Sequence, residues 1–95
     1  MSVDGGMGDN IRPALYGAKY EAVVADRATA AADIVVTIAG KYCESGDILV
    51  KDAKIASVVA GNLIAIPAAG AYSPSMASTY NVNGRPAIVL VADGK

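Results

Sequence analysis

The residues able to do chemistry concentrate in three short segments. Cys43-Glu44-Ser45-Gly46-Asp47 holds the sole cysteine, set beside a carboxylate and ahead of a small-residue turn. A thiol in that setting can deliver a proton, and the neighbouring acid can read a cationic group. A lone cysteine is most often a small buried hydrophobe. Here Lys41, Glu44 and Asp47 make the segment polar and Gly46 makes it a turn, so the thiol is expected at the surface. Arg12 and Tyr16 stand four positions apart. If the stretch between them is helical, both side chains share a face. A guanidinium and a phenol can then clamp a carboxylate, because the planar fork matches its two oxygens. The alternative for this pair is a surface arginine and a half-buried tyrosine. Tyr72 follows Gly70-Ala71, small residues that let a ligand approach the backbone closely; otherwise its ring caps the end of a strand.

These residues need a frame, and 95 residues suffice for one domain with a single core. One cysteine excludes an intrachain disulfide and fits a reducing compartment. The absence of histidine removes Ser-His chemistry and the commoner zinc ligand sets. Eight basic and nine acidic residues give a net charge of −1 without a basic stripe, so nucleic acid is not expected as a partner. The amino terminus reads as neither a secretory signal nor an anchor. The longest apolar tract, residues 55–72, is broken by Ser57, Gly61, Asn62, Pro67 and Gly70 and does not suit a membrane span. No charged residue occurs over the 30 positions from Ile55 to Gly84. Either two buried strands and a small-residue loop account for this, or the stretch faces another protein surface.

Three glycines within Ser2–Asn10 predict a loop, and Pro13–Tyr16 a single helical turn, since proline suits the first helical position. Asp4-Gly5-Gly6 matches neither a P-loop nor a dinucleotide fingerprint. Tyr20–Asp26, with Tyr20, Val23 and Val24, reads as a β-leaning run, and strands are predicted over Ile34–Ile38, Asp47–Asp52, Leu63–Ile66 and Ala87–Val91. Residues 27–33 read as a connection. Ser73-Pro74 reads as a helix start capped by Ser73, with the helix ending near Tyr80-Asn81, and Asn83-Gly84 as a turn. The sum is an all-β domain, a small β-barrel or sandwich with one or two short helical turns, spanning residues 1–95.

In this order and at these spacings, Asp4-Gly5-Gly6-Met7, Asn10-Ile11-Arg12-Pro13-Ala14-Leu15-Tyr16, Cys43-Glu44-Ser45-Gly46-Asp47 and Gly70-Ala71-Tyr72 with Met76-Ala77-Ser78 and Tyr80-Asn81 resemble the C-terminal β-domain of diaminopimelate decarboxylases. These are pyridoxal-phosphate enzymes of the alanine-racemase-like fold. The resemblance runs from about Val3 to Val91. It implies that Arg12 and Tyr16 hold the distal carboxylate of an amino-acid substrate. It implies that Cys43 protonates the carbon from which carbon dioxide departs, acting from the partner subunit of a homodimer, and that Glu44 pairs with the substrate's distal ammonium. Tyr72 would contact the cofactor at or near its phosphate, besides facing the substrate, and the Asp4-Gly5-Gly6 loop would lie beside the site. Met76, Ser78, Tyr80 and Asn81 are read as packing and capping. Tyr42 stands where the family commonly has histidine, and Asn62 where it often has aspartate.

The resemblance also implies that this chain is part of an enzyme. The cofactor lysine would lie in an N-terminal (β/α)8 barrel, and none of Lys19, Lys41, Lys51, Lys54 and Lys95 falls in a matching motif. The implied function is the conversion of meso-2,6-diaminopimelate to L-lysine and carbon dioxide in the cytoplasm, with this fragment inactive alone. The same domain from an arginine- or ornithine-type decarboxylase is the nearest alternative. A stand-alone, non-catalytic β-barrel binding module is a third, motivated by the uncharged stretch.

Overall fold

The computed structural model describes all 95 residues, Met1–Lys95. Its elements are α1 (Arg12–Tyr16), β1 (Val23–Val24), a 3₁₀ turn (Ala25–Arg27), β2 (Ile34–Ala39), β3 (Ile48–Ile55), β4 (Ile64–Ala65), α2 (Ser73–Met76) and a second 3₁₀ turn (Tyr80–Val82). β2 and β3 pair antiparallel, as do β1 and β4, in two separate two-stranded sheets. The molecule is thus a small sheet domain with two short helices, as expected, but the sheets do not close into a barrel.

The β2–β3 hairpin follows from β-branched residues on both strands, with Ile34 opposite Ile55 and Ile38 opposite Val50. β3 runs past the expected end at Asp52 because a bulge absorbs the two charged residues there. Val36 pairs with Ala53 and Ile38 with Val50, so Lys51 and Asp52 together oppose Thr37. Asp52 takes φ +53°, and its N–H donates to the Thr37 hydroxyl at 3.3 Å. The bulge keeps Val50, Ala53 and Ile55 all facing inward, where they join Val24, Ile38, Leu49 and Ala56 as the core. The amino terminus lies along the free edge of β2: Ser2 bridges Ala39 in parallel, and Val3 N–H donates to the Ala39 carbonyl at 3.0 Å.

Four local expectations are corrected. α2 ends at Met76 rather than near Tyr80-Asn81, where a separate 3₁₀ turn follows. Ala87–Val91 is not a strand. Ile88, Val89, Leu90 and Val91 are 70–94% exposed, and no edge is presented to them; β propensity without a pairing partner does not make a strand. Asn83-Gly84 is not a turn; Asn83 instead donates its side-chain amide to the Tyr80 carbonyl, and the chain turns at Asp93-Gly94 with φ of +52° and +74°. Ser73 does not cap α2. Tyr72, at φ +66°, is the residue before the helix, so Ser73 falls inside it with its hydroxyl buried and unpartnered. No helix is long and apolar enough to cross a membrane.

Val35, Val59, Leu63 and Val82 are also more than half exposed, an apolar load beyond what a small domain leaves in water without association. The 95-residue chain on its own is therefore expected to self-associate. Sedimentation velocity over a concentration series should show dimers or larger species growing with concentration, and a strict monomer throughout would remove the reading of residues 55–84 as a contact surface.

Candidate active site

α1 begins with proline in its first turn and ends at Gly17, whose φ of +65° suits a residue without a Cβ. Asn10 accepts the Arg12 N–H on its side-chain oxygen at 3.3 Å, fixing the entry. Five helical residues are enough to put Arg12 and Tyr16 on one face, as the spacing predicts. The Arg12 guanidinium carbon lies 5.4 Å from the centre of the Tyr16 ring. It lies 5.3 Å from the centre of the Tyr72 ring, which reaches it from the far side of the sequence. Both distances are within cation–π range. Both rings lie beside the guanidinium, and no group of this chain accepts a hydrogen bond from its N–H donors. Tyr16 and Tyr72 are 62% and 65% exposed. The result is an open anion-binding face of one fork and two phenols.

The Cys43–Glu44 turn is a second, separate group. No hydrogen bond or ring contact joins it to Arg12, Tyr16 or Tyr72. Cys43 is free and exposed, as expected, in the left-handed region at φ +52°. Tyr42 before it is fully buried, its ring lying where a Cβ on Gly6 or Gly8 would have to go. Burial, with the Asp9 and Asp47 carboxylates nearby, pushes the Tyr42 phenol upward, and its hydroxyl has no partner. The place of Tyr42 therefore affects packing under the turn, while both its peptide groups are clamped. Its N–H donates to Asp47 Oδ2 at 2.7 Å, and its carbonyl accepts from Asn81 Nδ2 at 2.6 Å. Asp47 is itself 3% exposed and takes the Met7 N–H on its other oxygen at 2.6 Å, tying the glycine loop to the turn.

Glu44 receives the Tyr80 hydroxyl on Oε2 at 3.1 Å and the Ser45 hydroxyl on Oε1 at 3.3 Å. The Tyr80 bond first, then the Gly46 N–H and Ser45, hold its carboxyl below the ordinary glutamate value. Asn62, by contrast, is a turn residue: it donates to Asp26 at 3.2 Å and accepts the Val59 N–H at 2.9 Å.

Asp47, Tyr80 and Asn81 are the residues that sequence reasoning missed. A buried carboxylate that takes one backbone N–H from its own turn and one from the distant glycine loop leaves little local signature, and Tyr80-Asn81 reads from sequence as packing and capping. A cavity of about 970 Å³ lies elsewhere, between the amino-terminal loop and residues 58–66, with the unpartnered Asn10 amide and Ser73 hydroxyl on its wall. None of Arg12, Tyr16, Cys43, Glu44 and Tyr72 lines it. The chemically equipped surface of this chain is an open face.

Residues 1–70 match the family described as the C-terminal sheet domain of pyridoxal-dependent decarboxylases. The whole chain is 55% identical over 95 residues to a diaminopimelate decarboxylase of Bacillus subtilis (strain 168), covering 22% of that protein. It is 54% identical over 96 residues to one of Staphylococcus aureus (strain COL), covering 23% of it. A crystal structure of the diaminopimelate decarboxylase of M. jannaschii in complex with L-lysine superposes with a TM-score of 0.80 at 40% identity, over 90% of this chain and 19% of that one. The chain thus spans about a fifth of the length of the curated relatives it matches.

Proposed function

The chain belongs to the pyridoxal-dependent decarboxylases, as their C-terminal sheet domain, and from that premise we propose that it is the part of a diaminopimelate decarboxylase that reads the substrate's far end and returns a proton. The reaction is the conversion of meso-2,6-diaminopimelate to L-lysine and carbon dioxide, placed in the cytoplasm. One carbon loses its carboxyl group as carbon dioxide and gains one proton in its place. The observation that carries the reading is the Arg12 guanidinium, which has no hydrogen-bond acceptor in this chain and lies within cation–π range of both Tyr16 and Tyr72.

Arg12 grips the distal carboxylate through two parallel N–H bonds, with Tyr16 beside it. The Glu44 carboxylate, already biased toward its charged form, faces the distal ammonium. The Cys43 thiol gives the proton. As the family resemblance implies, Cys43 and Glu44 are supplied by the partner subunit of a homodimer, and the lack of contact between the Arg12 face and the Cys43 turn is compatible with such a composite site.

Pyridoxal phosphate, when bound, supplies the electron sink for loss of carbon dioxide. The residues here fit part of its surroundings. Tyr72 has an exposed, uncommitted phenol suited to the phosphate side. All five lysines are exposed, with none desolvated as a covalent anchor would be. That anchor is assigned to an N-terminal barrel domain of the same enzyme. Arg12 also weighs against an arginine- or ornithine-type substrate, which offers no distal carboxylate to clamp.

The test is carbon dioxide release by the full-length enzyme from meso-diaminopimelate, L-ornithine and L-arginine. Turnover of the first alone is expected; preference for either of the others overturns the assignment. In the same enzyme Arg12→Lys keeps the charge but replaces the fork with a point donor. Losing one charge-assisted bond is worth about 1.5–3 kcal/mol, so kcat/KM is expected to fall at least about tenfold. Unchanged kinetics would remove the clamp.

A further inference from the structure

The segment after α2 is uncharged, yet it reaches back to the turn that carries the proposed proton donor, and it does so in a costly conformation. Asn81 and Val82 have φ of +54° and +63°. The left-handed region is tolerable for asparagine but unusual for a β-branched residue. Such conformations persist only where surrounding contacts over-determine them, and they gather at functional sites. Two contacts do so here. Asn81 donates its amide to the Tyr42 carbonyl at 2.6 Å, and Tyr80 donates its hydroxyl to Glu44 Oε2 at 3.1 Å. The first fixes the peptide directly before Cys43, itself left-handed at φ +52°. The second fixes one oxygen of the carboxylate directly after it.

We propose that Tyr80 and Asn81 are positioning residues that latch the Cys43–Glu44 turn, Asn81 setting the direction of the thiol and Tyr80 the orientation of the carboxylate. The proposal rests on the functional reading above in assigning what the thiol and carboxylate do. It goes beyond that reading in making the tail segment a determinant of catalysis and specificity. The two bonds have separable consequences. Loss of the Tyr80 bond frees the carboxylate and weakens recognition of the distal ammonium. Loss of the Asn81 bond lets the Tyr42–Cys43 peptide turn and misdirects the thiol, leaving the carboxylate bond in place. Glu44 meets only the hydroxyls of Tyr80 and Ser45 and the neighbouring backbone, and no other charged side chain pairs with it. Removing the phenol therefore moves its titration toward higher pH.

The experiment uses the full-length enzyme. Tyr80→Phe keeps the ring and removes the hydroxyl. It is expected to raise KM about fivefold with kcat within about twofold, as for loss of one charge-assisted bond at an exposed carboxylate. The acid limb of kcat/KM should move to higher pH, because more of Glu44 is protonated at a given pH. Asn81→Asp keeps the shape and replaces the amide donor with an oxygen facing the Tyr42 carbonyl; Asn81→Gly keeps the left-handed backbone and has no donor. Both are expected to lower kcat about tenfold with KM within about twofold. Both should also change the rate at which iodoacetamide alkylates Cys43 by about threefold or more. Variants that melt with the unsubstituted enzyme and match it in KM, kcat and alkylation rate would overturn the latch. So would equal losses in all three variants that track lowered stability without the KM–kcat division. If the unsubstituted enzyme releases no carbon dioxide from meso-diaminopimelate, the functional reading falls, and the alkylation rates of the Asn81 variants still decide the latch.

Discussion

Cys43→Ala in the full-length enzyme is expected to lower kcat by about a hundredfold to ten-thousandfold, the range in which a positioned general acid contributes. The fold should tolerate it, because the side chain is exposed and makes no bond that holds the turn; the clamps are on the peptide groups of Tyr42. The proposed composite arrangement adds a sharper expectation. Mix Cys43→Ala with a variant in which the cofactor lysine of the proposed barrel domain is replaced, each homodimer being expected to be nearly inactive. In a heterodimer one site receives both lesions and the other receives neither. Random exchange makes about half of all dimers mixed, so about a quarter of the unsubstituted activity returns. No recovery despite demonstrated subunit exchange would mean that Cys43 serves its own subunit. A fully active Cys43→Ala homodimer would remove the proton-donor role.

The parts of the fold legible in the sequence are those set by local chemistry. Ile34-Val35-Val36 declares β2, and Pro13 with Gly17 brackets α1. What is not legible depends on a partner. Ala87–Val91 has the composition of a strand and no edge to join. Lys51-Asp52 looks like the end of a strand, since two consecutive charges interrupt its alternation. The structure instead places both in a bulge opposite Thr37 and resumes the strand. Barrel closure was inferred from strand spacing, and spacing alone does not say whether β1–β4 will meet β2–β3.

The site divides in the same way. Arg12 and Tyr16 could be read together because helical periodicity joins positions four apart. Cys43 could be placed at the surface because its neighbours are polar. That Tyr72 lies beside the Arg12 guanidinium is a tertiary fact, and sequence suggested only that a small-residue loop precedes it. Tyr80 and Asn81 lay within a recognisable motif, yet their partners, Glu44 and Tyr42, are too distant in sequence for periodicity to link. A side chain whose role is to hold another segment's backbone carries no sign of that role in its own surroundings.

Asp47 is the extreme of this kind, and Asp47→Ala is expected to be the most damaging single change to the turn. Its carboxylate is buried and accepts the N–H groups of Met7 and Tyr42 at 2.6 and 2.7 Å. Truncation leaves two donors without a partner where water has little access. Each unsatisfied group costs about 1–3 kcal/mol, so for the two a loss of about 2–6 kcal/mol is expected. Asp47→Asn can keep one bond but must turn an NH2 toward the other N–H, so it is expected to cost about half as much. The surroundings offer no easy repair. A Cβ on Gly40 would fall on the Asp47 carboxylate and against the backbone of Gly6, and one on Gly6 would meet Asp47 and the Tyr42 ring. The glycines thus leave room for the carboxylate and the buried ring, and removing the carboxylate opens a polar gap between three segments. The check is hydrogen exchange on the full-length enzyme with its melting temperature. The amides of Met7 and Tyr42 should exchange faster in Asp47→Ala than those of the β2–β3 pairing. Uniform exchange with an unchanged melting temperature would show that these N–H groups find other acceptors, and that the turn carrying Cys43 does not depend on the Asp47 carboxylate.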